Sequence, residues 1–165
     1  MQRKPLAAIM TLALLIIVAF TFLTLHTLGL IGTGARMDFK TISKGVWSGH
    51  TSQAYYAIQD AEEWTRVWNQ HQQIFIPPTP PPTIDFSNAT VIAVFMGECR
   101  TTGYSIEVKE IIGTGLTVIV KVEKVYPGKG CVVGMALTHP YHIVQTNKIN
   151  KHVIFETSEI TVNCG

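Results

Sequence analysis

The chain has 165 residues, a length that fits one domain. Its 13 basic and 11 acidic residues give a formal charge of +2, and Arg3 and Lys4 account for that excess. Beyond residue 35 the chain carries 11 charges of each sign, so nothing electrostatic draws it to nucleic acid.

Between Lys4 and Arg36 there is no Asp, Glu, Lys or Arg, and residues 6–30 are apolar almost throughout. About 20 such residues span a bilayer core as helix, so this segment predicts a single transmembrane helix. Arg3 and Lys4 before it keep the N-terminus cytoplasmic and place the rest of the chain outside. The run is longer than the h-region of a cleaved signal, which favours a retained anchor; the alternative is secretion after cleavage near Thr33, Gly34 and Ala35. Residues 1–35 are therefore read as membrane anchor or signal segment, and 36–165 as one extracytoplasmic β-rich domain.

Strands are expected near 38–47 and 53–58, the second through Tyr55 and Tyr56. Asp60 and Glu63 have capping-box spacing, and Trp64, Val67, Trp68 and His71 fall on one face of the helix that follows. That face should pack on a sheet. Pro77, Pro78, Pro80, Pro81 and Pro82 then make an extended connector. The continuous apolar run at 90–95 predicts a strand buried on both faces. Residues 104–111 alternate, with Tyr104, Ile106, Val108 and Glu110 on one side. Gly113, Thr114 and Gly115 form a turn into 116–125, where Leu116, Val118, Val120 and Val122 share a face. A turn-rich loop at 126–130 leads to strands expected at 132–137, 141–145 and 152–162. Many short strands with one helix predict a mainly β fold: an antiparallel β-sandwich or barrel-like sheet with one packed helix, preceded by the transmembrane helix.

Motifs for catalysis are missing. Ser105 is not in a nucleophile-elbow setting, and the Gly113–Gly115 turn leads into a strand, not a phosphate-cradling helix. His139 and His142, three apart on a strand, point to opposite faces. No catalytic, cofactor or metal residues are expected, and the chain is not expected to be an enzyme. Cys99, Cys131 and Cys164 make no zinc spacing; outside the cytoplasm they predict one disulfide and one free thiol, with the pairing open. Asn88, Ala89 and Thr90 form an N-glycosylation tripeptide.

Over residues 49–148 an ordered series of short motifs carries a resemblance. It comprises the helix opened by Asp60 with Glu63, Trp64 and Trp68, then Ile84-Asp85-Phe86, Met96-Gly97-Glu98, Thr101-Thr102-Gly103-Tyr104-Ser105, Pro127-Gly128 and Thr138-His139-Pro140-Tyr141. In this order they resemble the C-terminal domain of PrcB-type subunits of secreted bacterial protease complexes. The family pattern reads Thr-Gly-Gly-Tyr-Ser, so Thr102 departs from it. This resemblance implies a non-catalytic module that binds an exported protein such as a protease, as a protease-associated or assembly subunit. Separately, Thr101-Thr102-Gly103-Tyr104 is similar to a loop of chagasin-type cysteine protease inhibitors, immunoglobulin-like sandwiches that wedge three loops into a cleft. That likeness implies partner contact through Thr101, Thr102, Gly103 and Tyr104, with Gly128 and Gly130 in a second loop and His139, Pro140 and Tyr141 in a third. It also implies neighbouring loops that a Cys99–Cys131 bridge would join, the rival pairing being Cys131–Cys164. A third alternative, a structural subunit of a cell-surface assembly, needs only export and β-structure; Pro5 after Lys4 does not suit a pilin-type cut.

Overall fold

The computed structural model describes residues 4–27 and 34–164. Helix α1 runs Lys4–Thr27. Among the described residues no helix is long and apolar enough to cross a membrane; the span expected at 6–30 extends beyond them.

Eight strands follow: β1 (Ala35–Met37), β2 (Phe39–Gly45), β3 (Ala54–Ile58), β4 (Ala89–Phe95), β5 (Ser105–Gly113), β6 (Thr117–Pro127), β7 (Tyr141–Asn147) and β8 (His152–Val162), with helix α2 (Ala61–Gln72) between β3 and β4. They form two four-stranded sheets, ordered β1-β5-β6-β8 and β2-β7-β4-β3. The fold is thus an open sandwich, and no barrel closes. The sheets are not wholly antiparallel as expected: β8 runs parallel to β6, with Thr117 opposite His152 and Pro127 opposite Val162. A parallel partner needs a crossover, and here the chain crosses through β7 in the other sheet.

Two cores follow from this order. Between the sheets, Ile92, Val94 and Val144 meet Ile106, Val108, Ile111, Val118, Val120 and Val122. The other face of β4 and β7 meets α2, where Trp64, Val67 and Trp68 pack with Ile58, Val91, Ala93, Phe95 and Ile143. Every residue of β4 is buried, as its uninterrupted apolar sequence requires. Asp60 caps α2, its carboxylate accepting the Glu63 N–H at 2.8 Å. The two indoles donate to the proline segment: Trp64 Nε1 to the Pro82 carbonyl and Trp68 Nε1 to the Thr79 carbonyl, both at 2.9 Å. The connector is therefore strapped along the helix.

Two sequence expectations shift within the strands. A bulge between Val108 and Glu110 resets the alternation of β5, so Ile111, not Glu110, joins Ile106 and Val108 in the core. Glu110 instead faces out and pairs with Arg36 and Lys121. Beside it Lys109 sits between Glu107 and Glu123, two like charges directly opposite in register, and lies 3.4 and 3.5 Å from them. Residues 132–137, expected as a strand, form a loop; only Thr138, just beyond them, makes an isolated bridge, to Cys99.

The disulfide is also not the expected one. Cys131 bonds Cys164, Cα–Cα 4.8 Å, and Cys99 is a buried free thiol. The parallel pairing explains this: Val162 ends beside Pro127, its carbonyl accepts the Gly128 N–H, and Cys164 is delivered to Cys131. Closing 33 residues contributes about 3–4 kcal/mol in the chain-entropy account.

Three buried histidines act as internal joints. His142 on β7 lies between the sheets: the Val108 N–H at the bulge donates to its Nδ1 at 3.0 Å, leaving Nε2–H for Thr41 Oγ1 at 2.8 Å. His71 on α2 meets the Ser48 hydroxyl through Nδ1 at 3.0 Å, and His50 stacks on Phe95 at 3.7 Å. Ser48 and His71, 0 and 1% exposed, are sealed from solvent and tie α2 to the β2–β3 loop. Burial pushes His71 and His142 down to about 4, and His50 down as well.

Because Trp64 and Trp68 fill the α2 interface, replacing either with Ala should cost about 3–5 kcal/mol, read from urea denaturation. Acid should also weaken the fold. Below pH 6.5 the unfolded chain protonates these imidazoles while folded His71 and His142 stay neutral, so stability falls from 6.5 down to about 4 and levels off below. Each contributes on the order of 3 kcal/mol to that loss. Denaturation midpoints at pH 7 and pH 4.5 check it; equal midpoints would mean the histidines are not held neutral.

Candidate functional site

The strand registers separate the two ends of the sandwich. Ala35 enters opposite Gly113, at one end of β5; Ser105 and Val125 lie at the other. Gly45, Tyr141 and Phe95 mark that same far end in the second sheet. The β2–β3, β4–β5 and β6–β7 loops all emerge there, together with the tail after Val162.

These loops are tied to one another by backbone hydrogen bonds. Cys99 and Thr138 exchange two, at 2.8 and 2.9 Å. The Thr102 N–H donates to the Gly134 carbonyl at 3.0 Å, and the Gly134 N–H donates to Thr102 Oγ1 at 2.7 Å. Thr138 Oγ1 donates to the Thr101 carbonyl at 2.9 Å, and the His139 N–H to the Val46 carbonyl at 2.8 Å. The loops expected to be neighbours are neighbours, though the link is hydrogen bonding and not a Cys99–Cys131 bridge. Thr102 does not need to be glycine, because its backbone is ordinary and its hydroxyl serves the next loop. Gly103 does: its φ is +94°, and a Cβ there would lie 3.1 Å from Pro127.

The expected contact residues divide. Thr101, Thr102, Gly103 and Tyr104 sit at this end, Gly130 is exposed beside them, and Gly128 is fixed under Val162. Pro140 and Tyr141 are buried instead; Tyr141 packs in the α2 core, its hydroxyl 2.9 Å from Ser43 Oγ. His139 is largely covered, with both ring nitrogens lacking a hydrogen bond and Nε2 3.8 Å from a Glu98 carboxylate oxygen. Asn88 lies at the opposite end of β4, exposed, donating to Asp85 at 2.8 Å.

The structure adds residues the sequence reading missed. Val132 and Met135 are 102 and 91% exposed, with Leu137, Val46 and Trp47 also open. Five apolar side chains thus project from loops whose backbones are held.

Beside them opens a pocket of about 330 Å³ lined by Gln53, Glu98, Cys99, Arg100, Tyr104 and Tyr126. Tyr104 and Tyr126 meet edge to face at 5.7 Å. Lys124, with its side chain 8% exposed, donates to Gln53 Oε1 at 2.7 Å and lies 3.7 Å from Glu159. Tyr126 donates to the same Glu159, and burial together with that carboxylate pushes its phenol up to about 12. Burial, then Glu98, also raises the Cys99 thiol, so it stays protonated at neutral pH. Such a pocket offers shape, two ring edges and charges of both signs. Among the described residues no three His, Cys, Asp or Glu side chains cluster as metal ligands.

Comparison with curated proteins and with solved structures finds no significant match. Residues 90–147, from β4 through β7 and so including the β4–β5 and β6–β7 loops, match the family model described as PrcB C-terminal. The chain resembles that family over these residues, as its motif series implied, whereas no match supports the chagasin likeness.

Proposed function

We propose that the protein is a non-catalytic binding module, held outside the cytoplasm by its N-terminal segment and working as a partner or assembly subunit of an exported protease. The carrying observation is the loop end: Trp47, Met135, Leu137 and Val132 stand open to water on a base of inter-loop hydrogen bonds. Apolar side chains grouped at one end of a small domain are the usual mark of a protein contact. The family match supports a protease complex as its setting. The Cys131–Cys164 bridge suits an oxidising compartment, and the charge-free run after Lys4 suits retention in a membrane.

A second reading uses the same end as an inhibitor of cysteine proteases. The adjacency of the 101–104, 127–134 and 138–139 loops favours it.

Tagged full-length protein captured from membranes should bring down an exported protease. Doubly substituted Trp47→Ser, Leu137→Ser should lose it by tenfold or more, on the order of 1.4 kcal/mol, with unchanged melting because both side chains are exposed. Retained capture by the double variant would move the contact elsewhere, and inhibition of a cysteine protease by the pure protein would favour the second reading. Protease added to intact cells with a permeable outer layer should clip the domain beyond residue 35; full protection would overturn the exported placement.

A further inference from the structure

Among the described residues the longest open strand edge is that of β8. Strand β1, at the opposite edge of that sheet, has three residues; β8 has eleven, paired to β6 without a register break. Only Val153 and Phe155 are partly covered; its other side chains are exposed. Edge strands in natural proteins are commonly blunted by proline, inward-pointing charge, bulges or shortness. Strand β8 holds no Pro, Gly, Lys or Arg, and among its exposed residues are Ile154, Ile160 and Val162, 40–44% open.

Its outward backbone groups can be assigned. Val162 turns its carbonyl to the β6 side, where it accepts from Gly128. Because alternate residues face alternate edges, Val153, Phe155, Thr157, Glu159 and Thr161 present their N–H and C=O groups to open solvent. Thr157 is the middle one of these five.

We propose that β8 pairs antiparallel with β8 of a second copy of this chain, about a two-fold axis through Thr157, joining two four-stranded sheets into one of eight. The symmetry makes the strand its own complement. Centred on Thr157, the outward residues face one another as Val153 with Thr161, Phe155 with Glu159, and Thr157 with itself, giving about ten interchain backbone bonds. On the other face Ile154 meets Ile160 twice, His152 meets Val162, and Glu156 meets Ser158. No glutamate faces a glutamate, whereas a two-fold axis through Glu156 or Glu159 would oppose like charges. The axis stands perpendicular to the sheet, so the two loop ends point in opposite directions. This pairing does not depend on the proposed protease contact.

A single cysteine tests the register in the full chain in detergent. Thr157→Cys places two thiols across the axis at a Cα separation of about 5.5 Å, within disulfide range. It should give a dimer on non-reducing electrophoresis after mild oxidation. His152→Cys, whose symmetry mate lies about 33 Å further along, should not. Sedimentation should show the unsubstituted chain as a dimer, and Thr157→Lys, opposing two charges at an exposed position, should weaken it about tenfold. A Thr157→Cys chain that stays monomeric, or one that cross-links to a different membrane protein, would overturn the proposal, as would equal cross-linking by His152→Cys.

Discussion

Strand β4 has no face turned to water. Seven consecutive buried residues leave it no polar side on which to rest, so both of its faces must be covered by something apolar. Helix α2 covers one and the β5–β6 sheet covers the other. The rest of the architecture follows from that demand. Tryptophan at 64 and 68 supplies enough area for a twelve-residue helix to seal four strands, and their indole N–H groups, which could not stay unpaired in such a place, draw the proline segment across the helix. His142 then fixes the spacing between the sheets at the one point where the β5 ladder is interrupted, its ring taking the N–H of Val108 at the bulge.

The same β4–β7 pairing sets up the loop end. Phe95 and Tyr141 are register partners, so the chain leaving β4 and the chain entering β7 start side by side, and Cys99 meets Thr138 four residues beyond and three before. Loops anchored this way have held backbones and open side-chain tips, an arrangement that loses little conformational entropy when a tip is covered. It fits the proposed contact. It also explains why Thr102 stands where the family pattern has glycine: its side chain is part of the tie between two loops.

Local chemistry was legible in the sequence wherever one element determined its own surroundings. Asp60 and Glu63 announced the start of α2, Trp64, Val67, Trp68 and His71 its buried face, and the apolar run at 90–95 its two-sided burial. What stayed hidden depended on partners distant in sequence. Nothing in 152–162 says that it pairs parallel with 117–127, and without that pairing Cys164 has no visible reason to reach Cys131. The bulge before Glu110 was equally silent, because a single extra residue preserves composition while inverting which side faces in. In the candidate site, the neighbouring of the 101–104 and 138–139 loops was legible through resemblance. The exposure of Trp47, Met135 and Leu137 was not, since an aromatic or aliphatic residue reads as core until its surroundings are known.

The parallel β6–β8 pair has a consequence for timing. Between its two strands the chain crosses to the opposite sheet as β7, so pairing β8 with β6 closes a long loop. Contacts of this kind form late, because a long loop must close before any of them is made. During synthesis Cys131 emerges well ahead of its partner and must wait through β7 with its thiol unspent. The covalent bond therefore works as a latch, tying the far end of β8 to the loop that follows its neighbour β6.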